Sequence, residues 1–275
     1  LSQRRSAFLQ PPRFQKKNLV LSSTPLAASQ PKIAVIIPTY NQFAYAKIAV
    51  ESCLKNTANC LVILVDDGSP QWNLADWAKY PKSQFLLHRF PKNDKNLTRS
   101  WNKGIQLALE NKCQIIVTGN SDLKFPPMWS KGIVEALAKG VNAVGPTTNA
   151  PGHRSKQNVK HYCRNYKVDD SDEYLKAVSS ELILNHSGKV DHSLLNGFCM
   201  AASSSTWLAG AYNSIGAFYN PKFKMVKNED ELIGRWRKLG FTTAVACSSF
   251  VFHYRGVTRH PNIKRAGKGA LRVAP

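Results

Sequence analysis

Acidic residues are scarce in this 275-residue chain: 17 Asp and Glu stand against 38 Lys and Arg, a formal net charge of +21. None occurs before Glu51 or after Glu231, and a third gap separates Glu135 from Asp169. Cations fill all three gaps. Arg4, Arg5, Arg13, Lys16 and Lys17 open the chain, and Arg255, Arg259, Lys264, Arg265, Lys268 and Arg272 close it. Arg154, Lys156, Lys160, Arg164 and Lys167 occupy the middle gap. One-signed runs of this kind create a potential that attracts polyanions: nucleic acid, anionic lipid headgroups or acidic glycans. The competing reading is a solvated, solubilising surface.

Other absences narrow the class. The six cysteines form no CxxC pair, which argues against a zinc site and a disulfide scaffold. They read as reduced thiols, and the expected location is the cytoplasm. No apolar run approaches the roughly 18–20 residues of a membrane span. The stretch KKNLVLSSTPLAAS is basic, then apolar, then small, but Ser22, Ser23 and Pro25 break its apolar part, so it reads as a tail. No glycine-rich dinucleotide loop, P-loop or internal repeat is present.

What is present is a globular composition, 43% hydrophobic and 10% aromatic. Residues 1–31 read as a basic arm or linker, and 259–275 as a basic tail. From Lys32 onward apolar runs alternate with amphipathic stretches, which predicts βαβ units and a mainly parallel sheet flanked by helices. KIAVIIP, CLVILVDD, SQFLLHRF, CQIIVTG and VNAVGP read as strands. FAYAKIAVESCLKN, LTRSWNKGIQLALEN and WSKGIVEALAKG read as helices between them, with a shorter one at NLADWAKY. The pattern dissolves from Thr147 to about Val168, where a loop or lid is expected. A helix from Ser171, the segment NGFCMAAS, helices at STWLAGAY and EDELIGRWRKLG, and one strand over TTAVACSSFVFHY complete the reading.

Ligands of open parallel sheets lie beyond the carboxyl ends of the strands. Three polar clusters follow strands here: Pro38-Thr39-Tyr40-Asn41, Asp66-Asp67-Gly68-Ser69 and Asn120-Ser121-Asp122. Each alone suits a turn. Gathered on one rim without a phosphate loop, their carboxylates and amide suit a hard divalent cation, Mg²⁺ or Mn²⁺, whose shell phosphate oxygens complete.

VIIPTYNQ, VDDGS, NSD, NGF, NEDELIGRWRKLGF and VFHYRG stand in the order and spacing of the family 2 glycosyltransferases, and the resemblance spans roughly residues 32 to 258. It implies a GT-A (Rossmann-like) fold, with residues 32–146 as the nucleotide-sugar half and 147–258 as the acceptor half. It further implies inverting transfer from a nucleotide sugar, with UDP favoured by family frequency. By this resemblance Pro38, Thr39, Tyr40 and Asp67 hold the nucleotide, with Asp67 on the base. Asn120-Ser121-Asp122 stands where the family carries Asp-x-Asp, so Asn120 and Asp122 would meet metal and diphosphate. His253 would join the metal. Asp230 would be the catalytic base and Glu229 would orient acceptor or loop. Acids at a helix start also suit its dipole, so a structural reading of that pair stands beside the catalytic one.

Charge weighs on the acceptor. Phosphate contacts from Lys and Arg supply non-specific DNA affinity, and a hydroxymethylated base in DNA, as in phage-type glucosylation, is the acceptor expected. Arg154, Lys156, Lys160, Arg164 and Arg255 are the candidate polyanion contacts, with His161, Tyr162 and Tyr166 offered for stacking. Two other readings stand: a transferase of surface polysaccharide or lipid-linked glycan, and a non-catalytic nucleic-acid-binding protein on a transferase scaffold.

Overall fold

The computed structural model describes residues 30–71, 73–152 and 155–255. The expected N-terminal arm before Gln30, the tail, and Arg154 lie outside them. Seventeen labelled elements follow in chain order: β1 (Ile33–Thr39), α1 (Phe43–Asn56), β2 (Cys60–Asp66), α2 (Ala75–Ala78), β3 (Phe85–Arg89), α3 (Leu97–Glu110), β4 (Ile115–Gly119), β5 (Leu123–Lys124), α4 (Lys131–Ala138), β6 (Ala143–Thr147), α5 (Asp172–His186), β7 (Val190–His192), β8 (Cys199–Ser203), α6 (Ser204–Ala209), α7 (Asn228–Lys238), β9 (Thr243–Phe250) and β10 (Phe252–His253).

Eight strands form one sheet in the order β3-β2-β1-β4-β8-β6-β9-β7. The β3-β2-β1-β4 half is parallel. β8 is antiparallel to both of its neighbours, β4 and β6. β1 and β2 are buried along their whole length because helices cover both faces of the sheet. Ala46, Ala49 and Val50 of α1 pack on one face with Trp129, Ile133 and Ala136. Trp101 and Ile105 of α3 pack on the other with Trp207 and with Leu232 and Trp236 of α7. α3 starts where the Asn96 side chain accepts from the Arg99 N–H, an N-cap. Gly104 lets this helix lie on β1, since a Cβ there would come 2.2 Å from Cγ2 of Ile36.

Two sequence expectations change. The strand expected over 242–254 divides at Val251. β9 stays in the main sheet, while β10 pairs antiparallel with β5 and sets His253 opposite Leu123. The loop or lid expected from Thr147 to about Val168 is an irregular segment, packed against the body where it is described rather than standing off as a lid. It folds through 3₁₀ turns at Ser155–Gln157 and Val159–His161, and Val159, Cys163 and Tyr166 join Leu175, Leu182 and Phe250 in a third core. Buried Gln157 fastens it, donating to the Pro146 carbonyl and accepting from the Asn196 N–H. Tyr166 is 5% exposed and is therefore not a stacking platform. Val159, Cys163 and Tyr166 stand at i, i+4 and i+7, but three apolar residues among basic and polar neighbours make too short a run to set a period, which is why the segment read as loop.

Candidate active site

The ends of β1, β2 and β4 come together as the strand pattern requires. Thr39 ends β1 buried, with its hydroxyl unpartnered, and Tyr40 beyond it is exposed. Pro38 lies inside the strand, opposite Val65. At the end of β2 the two carboxylates have different surroundings. Asp66 is fully buried and accepts from the Ser69 N–H, the Ser69 hydroxyl and Nε of Arg89. Asp67 accepts from Asn93 Nδ2 at 2.9 Å, the Asn96 N–H at 3.2 Å and Arg99 Nε at 2.7 Å. The Arg99 guanidinium lies 4.1 Å from the centre of the Phe90 ring. Gly68, at φ +78°, permits this closure: a Cβ there would stand 2.4 Å from the Lys92 carbonyl carbon. Sequence reasoning missed Arg89, Asn93 and Arg99. They are single polar residues without periodicity, and the only local signal was the Asn-rich stretch entering α3.

At the end of β4, the Asn120 N–H donates to the Phe198 carbonyl at 2.8 Å. Asp122 is 2% exposed, and its carbonyl accepts from the Tyr254 N–H. The β5–β10 pairing brings Nε2 of His253 to 3.2 Å from Asp122 Oδ1, yet off the hydrogen-bond direction, so that oxygen has no hydrogen-bond partner. Nδ1 of His253 lies 3.2 Å from the Ala150 carbonyl. A carbonyl can only accept, so Nδ1 carries the proton there and Nε2 is left to bind a cation. An unpartnered buried carboxylate oxygen beside that nitrogen fits a divalent ion. Among the described residues no group of three His, Cys, Asp or Glu stands together as a metal cluster. The rest of such an ion's shell has to come from elsewhere, and diphosphate oxygens serve. Tyr45 borders the pair, its ring 5.1 Å from that of Tyr254. Burial, then the negative charges of Asp122 and Asp170, push its phenol pKa up.

The start of α7 is tied to this corner through Asn196-Gly197-Phe198. The Phe198 ring stacks on His253 with centroids 5.3 Å apart, and a Cβ on Gly197 would lie 2.8 Å from Cβ of Glu229. Buried Asn228 fixes the helix start by donating to the Thr98 hydroxyl. Glu229 is thus half-buried against Gly197, while Asp230 is exposed beside Glu231, Gly234, Arg235 and Lys238 around a shallow depression of about 360 Å³. Glu231 pairs with Arg235 one turn on, at 3.0 Å. A second groove, also about 360 Å³, lies between α3 and residues 213–221 and contains Arg99 and Lys103 but none of the β1 or β4 rim residues.

The middle basic stretch is not acid-free in space. Lys156 pairs with Asp191 at 3.1 Å, and the Tyr162 hydroxyl donates to the Lys156 carbonyl. Lys160 and Arg164 are exposed. Arg255 is exposed, at φ +48°, with Nη2 3.8 Å from the position of a Cβ on Gly152.

This sheet, with a carboxylate-lined rim after β2 and β4, is of the GT-A type. The Glycosyl transferase family 2 profile matches residues 34–196, more than half of the chain. The chain belongs to that family. Among solved structures it is similar to S. aureus TarS 1-349, with a TM-score of 0.53 and 13% identity over 81% of this chain and 60% of that one. The chain thus spans less than two thirds of that TarS fragment, and the likeness is one of fold. No curated protein sequence matches it. Among the described residues no helix is long and apolar enough to cross a membrane.

Proposed function

We propose that residues 32–258 form an inverting glycosyltransferase that moves a sugar from a nucleotide sugar, UDP by preference, to a hydroxyl of a polyanionic acceptor. The observation that supports it best is the run of contacts from Asp122 and His253 through Phe198 and Gly197 to Glu229. It sets the Asp122–His253 pair and the Glu229-Asp230 start of α7 on either side of one short segment. The nucleotide lies along Pro38, Thr39 and Tyr40, and its base, on Asp67, also meets Asn93 and Arg99.

Asp122 and His253, with Asn120 beside them, would hold Mn²⁺ or Mg²⁺, which neutralises charge on a leaving diphosphate. Asp230, exposed at the start of α7, takes the proton of the acceptor hydroxyl. The freed oxygen electrons form the bond to the anomeric carbon as the bond from that carbon to the diphosphate oxygen breaks. The nucleoside diphosphate leaves with the electron pair. Glu229, held against Gly197, positions the helix start that carries the base.

The acceptor we propose is a hydroxymethylated base in DNA, supported by the +21 charge and by exposed Lys160, Arg164 and Arg255. Radiolabelled nucleotide sugars offered with hydroxymethylated DNA, unmodified DNA and lipid-linked oligosaccharide test it. Label in the first alone supports the reading. Label only in the oligosaccharide replaces it with glycan synthesis.

A further inference from the structure

Residues 222–227 carry a feature that the transfer reaction leaves unused. Lys224, Met225, Val226 and Lys227 are consecutively exposed, with Met225 at 47% and Val226 at 56%. The segment is nevertheless firmly held. Both the Thr98 hydroxyl and the Thr98 N–H donate to its base, to the carbonyls of Phe223 and Lys224. The Lys222 N–H donates to Asn220 Oδ1, and Lys224 Nζ holds Asp94 at 3.3 Å. Lys227, a non-glycine residue at φ +62°, turns the chain sharply into buried Asn228 and so into the Glu229-Asp230 pair. A sequence that fixes both ends of a loop and leaves two adjacent apolar side chains in water holds them there against the hydrophobic effect.

We propose that Met225 and Val226 form a wedge that enters the base stack of a duplex acceptor, with Lys222 and Lys227 on the flanking phosphates. The inference rests on the DNA-acceptor reading above. A base cannot reach a catalytic carboxylate while stacked, and it must be extruded. Proteins that unstack a step do so by inserting one or two apolar side chains. The tip has that size, has cations on both sides, and lies three to five residues from Glu229 and Asp230. Membrane insertion fits less well, because affinity for a bilayer grows with buried apolar area, and two side chains offer little.

The test uses the full chain and the variant Met225→Ser/Val226→Ser. Wild-type protein should brighten 2-aminopurine placed beside hydroxymethylcytosine in a duplex, without any donor present; the variant should not. Transfer to the duplex should fall about tenfold or more, the scale of an unstacking cost left unmet. Transfer to the same strand alone, already unstacked, should fall less than about twofold, and Met225→Leu/Val226→Ile should restore the duplex activity. Equal losses on duplex and single strand, or none on either, overturn the wedge while the acceptor reading survives. No wild-type transfer to either form overturns both. Loss of co-sedimentation with phosphatidylserine vesicles, with duplex transfer unchanged, assigns the tip to a membrane instead.

Discussion

Asp122 and His253 hold the most exacting geometry at the residue scale. A carboxylate oxygen buried without a hydrogen bond costs stability in the apo protein unless something charged completes it. Asp122→Ala should therefore abolish metal-stimulated turnover and remove Mn²⁺ binding in calorimetric titration, while thermal stability without metal holds or rises. Full activity in EDTA would remove the metal role. Asp230 and Glu229 are separated by orientation. Asp230→Asn keeps the shape and loses the basicity, so transfer should fall by about 10²–10⁴-fold with donor binding retained. Near-normal transfer by that variant, with loss in Glu229→Gln, would move the base to the inward carboxylate. Which residues to examine was legible through the ordered motifs; the partners were not. Arg89, Asn93 and Arg99 reach Asp66 and Asp67 through tertiary folding alone, across 23 to 32 positions.

Elements with long buried runs were readable from the sequence, because a strand covered on both faces must be apolar throughout. β5 and β10 have two residues each and can carry no period, although they bring His253 to Asp122. Helix α3 shows how closely an element can be fitted. Gly104→Ala would place a methyl group 2.2 Å from Ile36. The gain in helix propensity, about 1 kcal/mol, should be outweighed by overpacking, typically about 1–3 kcal/mol. The urea midpoint should fall. An unchanged or raised midpoint would show that α3 and β1 yield more easily than their contact implies.

For the whole molecule, all six cysteines are buried and free. Burial pushes the thiols of Cys113 and Cys163 up to about 11, against about 8.5 for an unfolded thiol. A raised folded pKa makes the contribution to stability full below the unfolded value and lost as pH climbs through the folded one. Stability measured by denaturation should hold to about pH 8.5 and decline toward pH 11. Replacing both cysteines by alanine should reduce that alkaline slope; an identical slope would place its origin in the buried thiols of Cys60, Cys199 and Cys247 or in the buried tyrosines. The charge balance makes a second prediction. If DNA is the acceptor, log affinity should fall linearly with log salt, by about 0.9 per phosphate neutralised. Neutralising Lys160 and Arg164 together should flatten that line. Binding indifferent to salt would end the polyanion reading. Net charge was plain in the sequence, but its spatial pairing was not: Lys156 meets Asp191, 35 positions away.

β8 gives the sheet a history as well as a shape. It lies between β4 and β6, yet the chain makes it after both. On a ribosome adding about 5–20 residues each second, the inner edge of β4 waits several seconds for residues 199–203 to emerge. Until then Val117 and its neighbours present unpaired N–H and C=O groups, an open invitation to another nascent chain. A protein ending at residue 196, where the family profile match stops, would keep that edge open permanently. Synthesis of this chain therefore includes an interval in which that edge depends on shielding rather than on the stability of the finished fold.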